Sequence, residues 1–443
     1  MILPQGELVV KKSKFDAQQI KKNKWLQKRL DALNYYNGLT RDYTEEFFSR
    51  ATLLKIPIGN VNIAKRVIDR VSLVYMVPPK RRYTEGSLLD TDLDILFNKD
   101  LKLQRLERMT NLLDAVLLKA CWRNDRIEYD VIYDYEPIFG EDPLNPVAFM
   151  YPIAKKSTVL DATEELWAYW DEENHYIFNN NGKKVVMEGN EDMINPYGMM
   201  PFVQCFREGK PETEYLDTNA SNDLIQTNLA INVAETNKNA NIMFQSFGYL
   251  YVNGAGIDKD TMEIGQDQIN YLGVDGTINI VSPPNAIPAL DESIKSSYKM
   301  LAQNYHLSTS FVEGTAAESG VALRLRNLEL QDDRKSDVMR WRQAEYELFE
   351  IEKKIIEYHL NKDVPELEDV DYDEATEVLS NQEQRDKWEW ELSKGLIDEA
   401  DIMMQINPDF TREEAEEYLS ERKSVEAPTE GAGLLEALAK PVE

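Results

Sequence analysis

Cysteine and histidine are scarce in this chain. Cys121 and Cys205 are the only cysteines among 443 residues, and His175, His306 and His359 the only histidines. That excludes a disulfide framework, and no local spacing makes a Cys/His zinc site. Both cysteines sit in apolar settings, Lys-Ala-Cys-Trp and Val-Gln-Cys-Phe, and read as buried free thiols in a reducing compartment. Long apolar runs are also missing. The longest uncharged stretch, Asn239 to Ile257, is threaded with Asn, Gln, Ser and Gly and would span a membrane poorly. The first residues lack the charged-then-apolar pattern of a signal peptide, so a soluble intracellular product with no membrane partner is expected. Positive charge is in deficit: 50 Lys and Arg face 79 Asp and Glu, a net charge of −29. A protein that coats DNA by neutralising phosphates is thereby excluded. A protein past which DNA slides is not.

What is present is enough for two or three domains with real cores, because 42% of the residues are hydrophobic and 10% aromatic. The charge is unevenly spread. Residues 1–82 carry 17 basic and 7 acidic residues, whereas 363–443 carry 7 basic and 25 acidic. Regions so different are expected to meet different surroundings.

Helical spacing runs from Asp16 to about Tyr36, and again from Asn60 through Val74 to the stop at Pro78-Pro79. Residues 88–120 read as a third helical stretch, densest at Leu112, Leu113, Val116 and Leu117. From Ile127 to Phe206 the pattern turns to short strands, with Asn-Asn-Asn-Gly at 179–182 as a hairpin signal. Helix returns from Asp217 to Ser246, in a segment dense in asparagine. Asparagine is a mediocre helix former, so the amides are expected to bond laterally to neighbouring copies. Residues 247–287 read as a glycine-rich β unit with strands at Tyr249–Val252 and Thr277–Val281. A short helix with Leu290 and Ile294 on its apolar stripe follows, then a break at 306–318. The longest helix runs from Ser319 to about His359, and its polar run Gln331–Asp337 marks a bend or a change of packing partner. Short acidic helices complete the chain.

Catalytic signatures are lacking: there is no phosphate-binding Gly-x4-Gly-Lys, no Gly-x-Gly-x-x-Gly and no His-Glu-x-x-His. Asp90, Asp92 and Asp94 can be drawn as a divalent-metal site but read as a helix start and solvated loop. Glu172, Glu173 and His175 read as a hairpin edge, and Arg324 and Arg326 as surface ion-pair partners. Neither enzymatic activity nor a cofactor is expected.

The order of the units is more specific than any single motif. Asn222-Asp-Leu-Ile-Gln leads into Asn239-Ala-Asn-Ile-Met, then Tyr249-Leu-Tyr-Val-Asn-Gly-Ala-Gly-Ile-Asp, then Glu318-Ser-Gly-Val-Ala-Leu-Arg. This succession resembles the portal proteins of tailed bacteriophages, in the type found with long non-contractile tails. The last motif is similar to the family's Ser-Gly-x-Ala-Leu-Lys signature, with Arg324 or Arg326 in place of the lysine. Asn34-Tyr-Tyr-Asn-Gly38, Asn60–Pro79, Lys394-Gly-Leu-Ile-Asp and Asn407-Pro-Asp-Phe are weaker echoes.

The resemblance implies a mixed α+β, predominantly α fold forming a homo-oligomeric, dodecameric ring at the capsid vertex of the virion, assembled in the host cytoplasm. It implies a wing at 1–216, stem helices at 217–246 and 288–305, a clip at 247–287 and a tunnel loop at 306–318. A long bent helix at 319–361 and a crown with a tail at 362–443 complete the assignment. Stem contacts between copies would come from Leu224, Ile225, Leu290 and Ile294. In the clip, Tyr249, Tyr251 and Tyr271 are either contact residues or small-core aromatics. The loop residues Ser308, Thr309, Ser310, Phe311, Val312, Glu313 and Gly314 would face double-stranded DNA without reading its sequence. Terminase, head-tail connector proteins, and capsid and scaffolding proteins are the implied partners. Two other classes stay open: another ring-forming head or connector protein, and a metal-dependent nucleic-acid-processing enzyme.

Overall fold

The apolar run Val116-Leu-Leu-Lys-Ala-Cys121 shows how periodicity divides into elements here. In the computed structural model, helical spacing holds only through Asp100–Leu113. Asp114 then takes a left-handed φ of 63°, and Ala115–Arg123 continues as a strand. That strand is buried on both faces, and a doubly buried strand carries no alternation to separate it from a helix. The helix expected over 88–120 is therefore corrected to a helix followed by a strand. The structure describes residues 24–48, 56–84, 96–156, 164–179, 181–187, 189–212, 215, 221–247, 249–253, 277–281, 285–307, 320–372, 381–407 and 410–425.

The fold is mixed α+β and predominantly helical, with no closed barrel among the described residues. The chain forms two units, one of residues 1–315 and 327–374, the other of 316–326 and 375–443. In the first, α1 (24–36), α2 (Arg41–Glu45) and α3 (Ile63–Val71) precede a 3-10 turn at Val74–Met76 and β1 (Lys80–Tyr83). Then come α4 (Asp100–Leu113), β2 (Ala115–Arg123), β3 (Arg126–Ile132), β4 (Glu136–Phe139) and β5 (Pro146–Lys156). β6 (Glu164–Trp170), β7 (His175–Asn179), β8 (Lys184–Val185) and β9 (Phe202–Phe206) follow. Next are α5 (Asn222–Phe247), β10 (Tyr249–Asn253), β11 (Thr277–Val281), α6 (Ile287–Asn304), α7 (Gly320–Leu360, of which residues 327–360 belong to this unit) and β12 (Leu367–Asp371).

All strand pairs are antiparallel. The sheets run β3-β2-β9 and β4-β5-β6-β7-β8, with ribbons β1-β12 and β10-β11. Val116, Leu118 and Ala120 of β2 pack with the helices, while Leu117 joins an aromatic core with Tyr135, Phe149, Tyr151, Trp170 and Phe202. The three-stranded sheet thus lies between the helices and the five-stranded sheet. Arg29 pins α1 here: its buried guanidinium donates to the carbonyls of Leu113, Ala115 and Tyr133 at 2.6–3.1 Å, 4.3 Å from the ring of Trp25. Because β12 pairs with β1, residues 362–374 of the expected crown stay with this unit.

The second unit holds α8 (Asn381–Lys394), α9 (Glu399–Ile406) and α10 (Arg412–Val425). Asp398 and Asp401 form a capping box at the start of α9, and Arg412 bonds both carboxylates. Ala400, Met403 and Ala415 form its small core.

Three asparagines of α5, Asn228, Asn232 and Asn239, act within the chain, which for them corrects the expectation that they bond to neighbouring copies. Residues 56–62 run extended along α5 and are held by a ladder of side chains. Asn228 accepts from the N–H groups of Ile63 and Ala64 at 3.0 Å and donates to the carbonyl of Val61 at 2.9 Å. Asn232 accepts from Val61 N–H at 2.8 Å, Thr236 from Gly59 N–H at 2.9 Å, and Asn239 donates to the Pro57 carbonyl at 3.0 Å. An extended segment has no partners of its own for these groups, and the buried amides supply them. They also set the helix start: α3 begins at Ile63 rather than Asn60, with Asn62 as its N-cap.

Gly59 is required where the two backbones come closest. A Cβ there would lie 2.7 Å from Glu235 Cβ and 2.8 Å from the Asn232 carbonyl oxygen, which belongs to the helix backbone and cannot step aside. Gly59→Ala should therefore destabilise the chain by about 2 kcal/mol. Urea unfolding checks this, and an unchanged midpoint would mean that the ladder yields without cost.

Candidate functional site

Three helix ends meet at one arginine. β9 ends at Phe206, and the next residue, Arg207, donates its backbone N–H to the Asp114 carbonyl at 2.9 Å, where α4 has just ended. Its guanidinium lies 3.9 Å from the Asp114 carboxylate and 3.4 Å from Ser221 Oγ, just ahead of α5. It also sits 5.4 Å from the centroid of the Tyr305 ring, at the end of α6. Tyr305 closes the arrangement by donating to Asp223 Oδ1 at 3.0 Å, and Ser221 Oγ donates to the Asn111 carbonyl at 2.9 Å. Burial, together with Asp223, pushes the Tyr305 hydroxyl up to about 12, so it remains a donor at any physiological pH.

The backbone is unusual at the same place. Asp114, Ser221 and His306 have φ of 63°, 48° and 50°, a region that costs a non-glycine residue energy. Two adjoining clefts, of about 490 and 300 Å³, share Arg207, Glu208, Asn304 and Tyr305 in their walls. Polar contacts on the cleft side thus join buried apolar residues, Leu113, Leu224 and Leu301 among them, in holding these ends. The second cleft is walled on α7 by Arg340 and by Asp333, Ser336 and Asp337 of the polar run expected to mark a bend or a change of packing partner. α7 is continuous through it. The run faces the cleft, and burial holds the Asp337 carboxyl above its ordinary range.

The chain leaves this junction toward the expected tunnel loop. Leu307 donates its N–H to the Ala302 carbonyl at 2.7 Å, and His306 Nδ1 lies 2.6 Å from Asp333 Oδ2 on α7. Ser308, Thr309, Ser310, Phe311, Val312, Glu313 and Gly314 lie outside the described residues, as do Tyr271 and the trio Asp90, Asp92 and Asp94. Tyr249 and Tyr251 fall on β10, and Arg324 and Arg326 on the first turns of α7. Leu224, Ile225 and Ile294, expected as stem contacts, are buried in the chain's own core, and Leu290 is half-buried. The three buried residues hold α5 and α6 to the body of the chain. His175 stacks on Trp170, and burial beside Lys119 pushes its pKa down to about 3. It stays neutral and packs as an aromatic ring. Among the described residues no group of three or more His, Cys, Asp or Glu side chains could hold a metal ion, and no helix is long and apolar enough to cross a membrane. No protein-family model matches this sequence, and no curated protein matches it.

Sequence reasoning gave Arg207, Tyr305 and Asp223 no functional role. The only local signal is the turn Arg-Glu-Gly-Lys-Pro at 207–211, where Gly209 takes a φ of 98°.

A buried acid lies behind the clefts. Glu107 of α4 accepts from the N–H groups of Val74 and Tyr75 at 2.8 and 3.0 Å, and burial raises its pKa from 4.5 to about 7. Between those values the folded chain holds a proton that the unfolded chain has released, so this group's contribution falls as pH rises through the window. The loss amounts to about 3 kcal/mol at most. Glu107→Gln cannot titrate. Measured by urea unfolding, the stability of the native chain relative to this variant should decline from pH 5 to pH 8. A difference that stays flat would place the proton elsewhere.

Proposed function

We propose that this chain is the ring-forming portal subunit of a tailed bacteriophage, a conduit for packaging and ejecting DNA and a docking point for terminase and connector proteins. The observation that carries the reading is the geometry of the unit before the long helix. Lys238 Nζ of α5 meets Asp291 Oδ1 of α6 at 3.2 Å, while Asp223 at the start of α5 meets Tyr305 just past the end of α6. The two helices therefore run antiparallel, and the ribbon β10-β11 joins them at one end. The other end of α6 leads toward a 41-residue helix. A stem pair with a clip ribbon at its tip, followed by a tunnel loop and a long helix, has this order.

A second feature of α5 supports assembly. Gln226, Ala230 and Asn237 are exposed and Val233 is half-buried, and their spacing puts them on one face. From Gln226 to Asn237 no charged residue falls on that stripe, although 29% of the chain is charged. A solvated helix face is normally charged, so this one is suited to close contact with another copy. Twelve copies would carry roughly −350 charges before counter-ions, a wall that repels phosphate and lets DNA slide.

Negative-stain images and native mass measurements should show rings with a central channel; a monodisperse monomer would end the reading. Ala230→Glu with Asn237→Glu places like charges in the contact without touching the core. Subunit stability should change by about 0.5 kcal/mol or less, and the rings should be lost. Rings that persist would move the contact off this face.

A further inference from the structure

We propose that Arg207 is the positioning residue of the α5–α6 pair: its guanidinium sets the angle at which the two helices leave the body of the subunit. Three features point there. The contacts of Arg207 reach one residue from each of three helix ends, Asp114 after α4, Ser221 before α5 and Tyr305 after α6. Those ends carry left-handed backbone at Asp114, Ser221 and His306. The clefts leave the Arg207 side of the joint open, whereas Leu113, Leu224 and Leu301 of the same helices are buried in the core on the other side.

The physical argument concerns what a planar, forked cation can do that other groups cannot. A guanidinium reaches a carboxylate, a hydroxyl and an aromatic face at once, in different directions. An ammonium at the same place keeps the charge but not the directions. A neutral amide keeps neither. Tyr305 depends on the same contact, because its hydroxyl donates to Asp223 while its ring and its oxygen both lie beside Arg207. Removing the guanidinium leaves α5 and α6 joined through Tyr305 and Asp223 and seated on the core by Leu224, Ile225 and Ile294, but widens the range of angles open to the pair at its base. Along α5, which at 26 residues is about 39 Å long, a small change of angle becomes a displacement of several ångströms at the ribbon. The joint is a property of the folded subunit, and its test reads the same whether or not subunits form rings.

The test is a distance. Leu101 on α4 and Glu292 on α6 are both exposed, and both native cysteines are buried, so Leu101→Cys with Glu292→Cys takes spin labels at two sites. Pulsed electron paramagnetic resonance is then read on labelled subunits diluted into unlabelled ones. The parent should give one narrow distance distribution. Arg207→Gln should at least double its width, and Arg207→Lys should fall between the two. Arg123→Gln, which removes an exposed arginine paired with Asp130, should leave the width unchanged. A parent-like width in Arg207→Gln would overturn the proposal, as would equal broadening by Arg123→Gln. Should Arg207→Gln fail to fold, Arg207→Lys decides alone: broadening supports the joint, and a parent-like width refutes it.

Discussion

Two glutamates on one face of α7 constrain everything around them. Glu345 and Glu352 are seven residues apart and have essentially no solvent exposure. Lys99 Nζ lies 3.2 Å from Glu345 and 3.1 Å from Glu352, and Arg81 binds Glu345 with both Nε and Nη2 at 3.1 and 2.7 Å. Tyr75 donates to Glu345 and Tyr129 to Glu352, while the Tyr75 and Tyr372 hydroxyls meet at 2.9 Å. The two cations meet both buried carboxylates, and Arg81 also reaches the Asp100 carboxylate at 2.9 Å. Burial works to raise the Glu345 carboxyl, and Lys99 and Arg81 overcome it; at Glu352 burial prevails over Lys99. Leaving one such charge unpaired costs about 3–5 kcal/mol, a large share of a domain's stability. α7 therefore cannot slip or rotate by a turn, and β1, the start of α4, β3 and the residue after β12 are each registered against it by a charge or a hydroxyl.

None of this cluster stands out in the sequence, because its members lie up to 297 residues apart and each is an ordinary charged or phenolic side chain. What was legible was local. Strands at 249–252 and 277–281, the helix near 288–305 and the helix from 319 to 359 follow from periodicity and breakers, and the structure has them within a few residues. The hairpin at 179–182 has a physical signature that sequence carries well. Asn179 Oδ1 accepts from the N–H groups of Asn181 and Lys183, and Gly182 takes a φ of 73°.

Reasoning from sequence failed where a partner far along the chain decided the outcome. Val116-Leu-Leu became a strand because β3 and β9 pair on its two sides. The α5 asparagines were rightly marked as unusual for a helix, but their partner was a segment some 170 residues earlier. Arg207 was passed over because an arginine after a strand carries no local mark. The candidate site is thus almost wholly a product of tertiary structure.

The ladder along α5 behaves as a vernier. Four residues of helix advance about 6.0 Å, and two residues of extended chain about 6.6 Å, so each rung drifts by about 0.6 Å. Over a few rungs a flexible amide absorbs the drift; over twice as many it could not. The ladder is therefore self-limiting in length, and chain added to either side could not prolong it. It is also keyed. The rung facing the closest approach must carry glycine, and Gly59 is the only glycine between 39 and 85. A slip by two residues would bring a side chain to that point, and in one direction would also set Pro57, which has no N–H, opposite Thr236. One missing Cβ and one missing N–H therefore help to select a single alignment.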